Sequence, residues 1–248
     1  FQEMYCMQQA DLIVTPSTVT KKHLVSLGIE TDKVQVIPNG VDLDVFRYSP
    51  AKLPSSTNES LKLLYSGTMT SWQGVNIAID ALKLLRRDLR AELLLVGPTK
   101  KSQRRKLEQY IFEQDLLNHV TIMPPVKQTE LVSLHHQAHV FLAPLPYNDR
   151  NVVQGCCPLK LLEGMACGIP IVATDLEVAH ELAQADKDII MVKPNSAKAI
   201  KDGILKIYND SRLAASLSLS ARKKIEEQFQ WKHAQEHLRA CYQALLSP

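Results

Sequence analysis

The sequence has no disulfide framework. Its five cysteines, Cys6, Cys156, Cys157, Cys167 and Cys241, are odd in number, irregularly spaced and in one place adjacent. That pattern excludes a cystine-stapled scaffold, and the lack of a C-x-x-C pair excludes the usual zinc spacing. Reduced thiols in a cytoplasmic protein are expected. Net charge is also scarce: 29 Lys and Arg against 26 Asp and Glu leave +3, too little to imply nucleic acid. No uncharged apolar run approaches the ~18 residues of a membrane span. No signal peptide and no Met opens the chain, which starts at Phe1 and is read as a fragment. The G-x-G-x-x-G fingerprint is missing, which argues against a nicotinamide dehydrogenase. What remains is an ordinary folded composition, 248 residues with 45% apolar and 22% charged side chains, enough for a sizeable core.

Continuous runs rich in Val, Ile and Leu recur at 11–15, 34–38, 61–66, 91–96, 120–123, 139–143, 169–173 and 188–192. Such runs suit strands covered on both faces. Helical patterns fall between them at 18–28, 74–89, 101–115, 129–138, 158–167, 177–184 and 196–209, followed by helices near 211–228 and 231–246. This alternation predicts an α/β fold with a parallel, Rossmann-like sheet. Residues 47–60 (RYSPAKLPSSTNES) read as a linker or long surface loop. Residues 1–46 are too short for a core of their own and read as the last βαβ piece of another domain.

Three segments could carry chemistry. In 65–75 (YSGTMTSWQGV) a strand enters a small-residue turn and a helix starts near Gly74, a place where backbone amides can meet an anion. A plain strand-to-helix turn is the competing reading. In 156–170 (CCPLKLLEGMACGIP) Pro158 suits a first helical position, Gly168 a helix end, and Lys160 and Glu163 share a face. A Lys in a first turn opposes the helix dipole, which is reasonable if an anion binds there with it. The competing reading is an exposed ion pair. The loop 144–151 (PLPYNDRN) follows a strand end and is polar in its second half, a ligand loop or a solvated one.

His233, Glu236 and His237 match an H-x-x-E-H zinc pattern, but on a terminal amphipathic helix a solvated face is the better reading. Lys100, Lys101, Arg104, Arg105 and Lys106 form a basic cluster read as a solvated face, with acidic lipid headgroups as the alternative partner.

Together, 11–17 (DLIVTPS), 36–42 (VIPNGVD), 64–74 (LYSGTMTSWQG), 96–98 (VGP) and 158–175 (PLKLLEGMACGIPIVATD), with the later Glu181, resemble the family 4 retaining glycosyltransferases of the GT-B fold. The resemblance implies a C-terminal, donor-binding piece. Residues 1–46 would end the N-terminal acceptor domain and form the hinge, 47–228 would be the nucleotide-sugar domain, and 229–248 the crossing helix. It implies Gly67, Thr68, Gln73, Leu159 and Lys160 on the donor's phosphates, Glu163 on the ribose, and Pro125 and Val126 by the base. Lys160 and Glu163 are the implied catalytic pair.

The match is partial. Thr68 and Gln73 stand where the family often has an Arg and a Lys. Gly155 stands where its Glu-x7-Glu motif has the first Glu. The 158–160 Pro-x-Lys then implies that Lys160 takes the diphosphate, and Arg150 and Gln154, with Asp149, become candidates for the sugar. No metal and no cofactor are implied, and no Asp-x-Asp pair sits at a strand end. The expected activity is hexosyl transfer with retention from a nucleoside diphosphate sugar, UDP-glucose or another UDP-sugar favoured. The acceptor would be a glycan or a lipid-linked molecule in polysaccharide or glycolipid synthesis, in the cytoplasm or at the inner membrane face. The alternatives are a nucleotide-sugar epimerase of the same fold and a non-catalytic sugar-nucleotide-binding module.

Overall fold

The computed structural model describes residues 2–56 and 58–246. Phe1, Ser247 and Pro248, at the outer ends of the expected 1–46 and 229–248 segments, and Thr57 of the linker lie outside the described residues.

The chain opens with α1 (Gln2–Gln9), β1 (Ile13–Thr15), α2 (Thr18–Ser26) and β2 (Val34–Val36). β1 and β2 pair in parallel as a small sheet of their own. After a stretch without helix or strand come β3 (Leu61–Ser66), α3 (Val75–Leu85), β4 (Ala91–Val96), α4 (Lys101–Glu113), β5 (Val120–Met123) and α5 (Gln128–Gln137). Then follow β6 (Val140–Ala143), α6 (Asp149–Val152), α7 (Leu159–Cys167), β7 (Ile171–Thr174), α8 (Glu177–His180) and β8 (Ile190–Val192). α9 (Ala197–Tyr208), α10 (Ser211–Gln228) and α11 (Trp231–Leu246) complete the described chain. All eight strand expectations are met within two residues.

The large sheet is wholly parallel, in the order β5-β4-β3-β6-β7-β8. Its continuous apolar strands follow from burial on both faces. Successive side chains point to opposite faces. Leu63 and Tyr65 enter a core with α3 and α9, whereas Leu64 and Phe141 enter one with α7. α10 gives Ala214 and Leu217 to the first core and Ala221 and Ile225 to the second, so it joins the two layers.

The chain winds outward from β3 through β4 and β5, then returns to place β6 on the other side of β3. The direction of winding reverses between β3 and β6, and their C-terminal ends leave the crevice in which such sheets bind ligands.

Two local expectations are corrected. Pro158 precedes α7 as its N-cap, φ −72° and ψ 94°, and the helix starts at Leu159. The loop 144–151 contains the start of α6, capped by Asn148, whose side chain accepts from Asn151 N at 3.1 Å. Four helical residues are too few to leave a periodic signal. The segment after β2 lies on the large unit: Ser49 N donates to Cys167 O at 3.0 Å, and Ser218 Oγ donates to Tyr48 OH at 3.3 Å. The small sheet is tied on at α2, where the Glu181 carboxylate accepts from Thr18 N at 2.8 Å and Val19 N at 3.1 Å. Such a carboxylate at a helix start satisfies otherwise orphaned amides and complements the dipole. Among the described residues no helix is long and apolar enough to cross a membrane.

Candidate active site

The crevice at the reversal point is a cavity of about 390 Å³, within the range of small-molecule sites. Its floor is made by two turns that continue the β3–β4 pairing past the strand ends. Gly67 N donates to Val96 O at 2.9 Å, and Met69 N to Pro98 O at 3.2 Å. Gly97, at φ +142°, lies so close beneath the first turn that a Cβ would stand 2.2 Å from Gly67 O. Only glycine permits that approach and that φ. Gly97→Ala should displace the turn, lowering stability by about 1–3 kcal/mol and weakening ligand binding further. Urea unfolding and calorimetric titration with UDP would measure both effects.

Lys160 rises from the first turn of α7 into this floor and is 8% exposed. Its ammonium donates to Gln73 Oε1 and to Tyr65 OH, the latter at 3.4 Å, and lies 4.5 Å from the centre of the Tyr65 ring. The Tyr65 hydroxyl in turn donates to Thr68 O at 2.7 Å, pinning the Gly67–Thr68 turn to the lysine. A Cβ on Gly67 would stand 3.1 Å from Lys160 Nζ, so the turn passes directly over the ammonium.

Both partners of the ammonium are neutral, and burial lowers the Lys160 pKa to about 7, against smaller raising effects of Cys156 and Glu163. Glu163, half-buried one turn further along α7, is shifted up by burial and held back by Lys160. Burial pushes the Cys157 thiol up to about 11 and raises that of Cys156. No side chain caps α7, so its first amides open toward the same space. A buried cation with neutral partners, uncapped helix amides and a glycine turn are together the chemistry that can hold an anion.

Of the residues expected from sequence, Gly67, Thr68, Gln73, Pro125, Val126, Leu159, Lys160 and Glu163 all line this cavity. Gln73 has its amide oxygen engaged by Lys160, so it positions the cation. Arg150 and Gln154 are not brought to the cavity wall. Arg150 turns back to donate to Gly155 O at 2.7 Å, with its guanidinium 5.5 Å over the Trp72 ring, and Gln154 is exposed. Asp149 is exposed at the start of α6. Gly155 itself has φ +75°, and a Cβ there would stand 2.7 Å from Thr20 N and Thr20 Oγ1. No acidic side chain could occupy this position while α2 lies where it does. Sequence reasoning passed over Trp72, Leu145 and Cys156 as wall residues. The signal available for each was its segment: Trp72 adjoins Gln73 in the 65–75 turn, Leu145 lies in the 144–151 loop, and Cys156 opens the 156–170 segment.

The family model described as glycosyl transferases group 1 matches residues 51–224, more than two thirds of the chain. The chain belongs to this family. A second model, Glycosyltransferase Family 4, matches residues 1–45. WcaL of Escherichia coli, a glycosyltransferase named for colanic acid biosynthesis, is 29% identical over 99% of this chain and 59% of its own length. The chain thus spans about three fifths of that relative. AmsK of Erwinia amylovora, an amylovoran biosynthesis glycosyltransferase, is 23% identical over 89% of this chain and 53% of its own length. The crystal structure of Anabaena Alr3699/HepE with UDP and glucose superposes with a TM-score of 0.82, at 17% identity, over 98% of this chain and 66% of the other. That likeness shows the GT-B fold. This member of the family therefore has its cavity at the crevice of a GT-B sheet, with the buried Lys160 at its floor.

Proposed function

We propose that this chain is the donor-binding part of a retaining hexosyltransferase that uses a nucleoside diphosphate sugar. The observation that carries the reading is the Lys160 ammonium under the Gly67 turn at the uncapped start of α7. The base lies by Pro125 and Val126, the ribose hydroxyls donate to Glu163, and the diphosphate spans Lys160 and the amides of Leu159 and Lys160. Negative charge grows on the β-phosphate as the glycosidic bond breaks. A preorganised cation and backbone donors in a low-dielectric cleft stabilise that charge. Lys160 and Glu163 are the catalytic residues on this side of the cleft.

Residues 1–46 end the acceptor domain, 47–228 bind the donor, and 229–248 cross back. α11 supports the last point, since Leu238 and Tyr242 lie beside Asp11 and Val14. A glycan or lipid-linked acceptor fits relatives named for colanic acid and amylovoran biosynthesis. The cytoplasmic inner membrane face fits the exposed Lys100, Lys101, Arg105 and Lys106, while Arg104 pairs with Glu108 at 2.8 Å. Retention and the uridine preference rest on the family resemblance.

Calorimetric titration with UDP, GDP and ADP tests the donor, with UDP expected to bind most tightly. Binding by none of the three would overturn the reading. Glu163→Gln keeps the shape of the side chain but loses the charge-assisted acceptor. UDP affinity should fall roughly tenfold or more, and the preference for UDP over its 2′,3′-dideoxy analogue should shrink toward unity. An undiminished ribose preference would reassign Glu163 to a structural role.

A further inference from the structure

Asn151 lies on the short α6 that follows β6, and it is 1% exposed. Its side-chain nitrogen donates to Trp72 O at 3.1 Å and to Pro146 O at 2.8 Å. Both partners are carbonyl oxygens, so only the NH2 end of the amide can face them. The amide oxygen is buried with no hydrogen-bond partner among the described residues. Burying an unpaired acceptor costs stability. Part of what the two bonds contribute to the fold is therefore given back, and what remains is a tie between the Trp72 main chain and the loop after β6.

Two further contacts hold the same turn. Gly74, at φ +77°, lies so close to that loop that a Cβ would stand 1.8 Å from Pro144 O. The Arg150 guanidinium lies 5.5 Å from the centre of the Trp72 ring and is itself held by Gly155 O at 2.7 Å. Between Trp72 and Gly74 stands Gln73, 9% exposed, whose amide oxygen accepts from the Lys160 ammonium. With its main chain anchored on both sides, that side chain has little freedom. The contacts run without a gap from Asn151 Nδ2 through Trp72 O and Gln73 Oε1 to Lys160 Nζ. Asn151 itself is not among the residues that line the cavity, so it reaches a ligand there through its neighbours.

We propose that Asn151 is a positioning residue for the Lys160 ammonium. By tying the Trp72–Gln73 turn to the loop after β6, it fixes Gln73 Oε1, and with it the ammonium, where a phosphate of the donor binds. The proposal rests on the donor-site reading above and adds a residue outside the cavity that sets the affinity of that site.

A double-mutant cycle tests it, with UDP-glucose affinity read by calorimetry on the whole chain. Asn151→Ala should weaken binding about tenfold, through two buried carbonyls left without their donor. In a Lys160→Ala background the same substitution should change affinity by no more than about twofold, because the group it acts through is gone. Equal losses in the two backgrounds would mark a merely structural role and overturn the proposal, as would unchanged affinity in Asn151→Ala. Asn151→Ser, a smaller change that cannot span both carbonyls, goes through the same cycle with the same expectation and keeps the test decisive if Asn151→Ala fails to fold. Any of these failures, in a native protein that binds UDP-glucose, leaves the donor site standing. A native protein that binds neither UDP nor UDP-glucose would overturn the donor-site reading itself.

Discussion

Lys160→Ala should weaken binding of a UDP-sugar by about 1.5–3 kcal/mol, roughly 10- to 150-fold, the scale of a hydrogen bond to a charged group. The expectation follows from the ammonium's place beneath Gly67, with neutral partners that cannot replace a phosphate. A pH signature should accompany it. The Lys160 pKa is held at about 7 by burial in the ligand-free protein. A bound diphosphate favours the charged form and raises that value. Affinity should therefore be full below pH 7 and decline as pH rises past it, with proton uptake per ligand rising from about half a proton near pH 7 toward one at mildly alkaline pH. A nucleotide sugar is the right probe, because its diphosphate is esterified at both ends and does not titrate near neutrality. Calorimetry in buffers of different ionisation enthalpy counts the proton. Unchanged affinity in Lys160→Ala, or a flat pH profile in the native protein, would remove Lys160 from the phosphate site.

The same lysine should cost the empty protein stability. Its folded pKa of about 7 lies below the unfolded value of 10.5. Between those values the unfolded chain binds more protons, so stability rises with pH across that window and carries the full cost of the buried charge below it. Lys160→Met should then stabilise the ligand-free protein at pH 6 by about 2 kcal/mol, with the gain shrinking toward pH 10. Opposite signs for stability and affinity in one variant would mark a residue kept for its ligand.

The second large effect concerns turnover. The chain spans 59% of the length of WcaL, and its cavity is lined by residues between Ser66 and Glu163, all in the unit built on the six-stranded sheet. Holding donor and acceptor in register can supply about 7–11 kcal/mol of a bimolecular barrier. These 248 residues should therefore bind a UDP-sugar, with EDTA present, yet transfer it to acceptor at least about a thousandfold more slowly than a protein that also supplies the region present in the longer relatives. Mass-spectrometric product analysis, with polysaccharide-repeat precursors as acceptors, would measure the ratio. Robust transfer by this chain alone would place the acceptor site within it and overturn the two-sided reading.

The strands and most helices were legible because each is a local matter. Leu61–Ser66 and Val140–Ala143 read as buried strands from their apolar runs alone, and the Gly168 helix end, at φ +79°, announced itself as a glycine after α7. Lys160 was legible too, since a cation in a first helical turn is an anomaly within a few residues of sequence. α6 was not, because one helical turn leaves no period to detect.

The sequence by itself determined the α/β alternation, the glycine turns and the lysine at a helix start, since propensity, periodicity and capping act over a few neighbouring residues. Only the tertiary structure decided what those pieces face. It brought Tyr65, Gln73 and Lys160 together across 95 positions of chain. It turned Arg150 from the cavity toward Gly155 O and pressed Gly155 against Thr20, so that neither supplies a side chain to the cavity. It also brought Trp72, Leu145 and Cys156 to the lining of one cavity. The order of strands in the sheet and the packing of α2 and α6 fix those neighbours, and contacts between residues far apart in sequence leave no periodic trace along the chain.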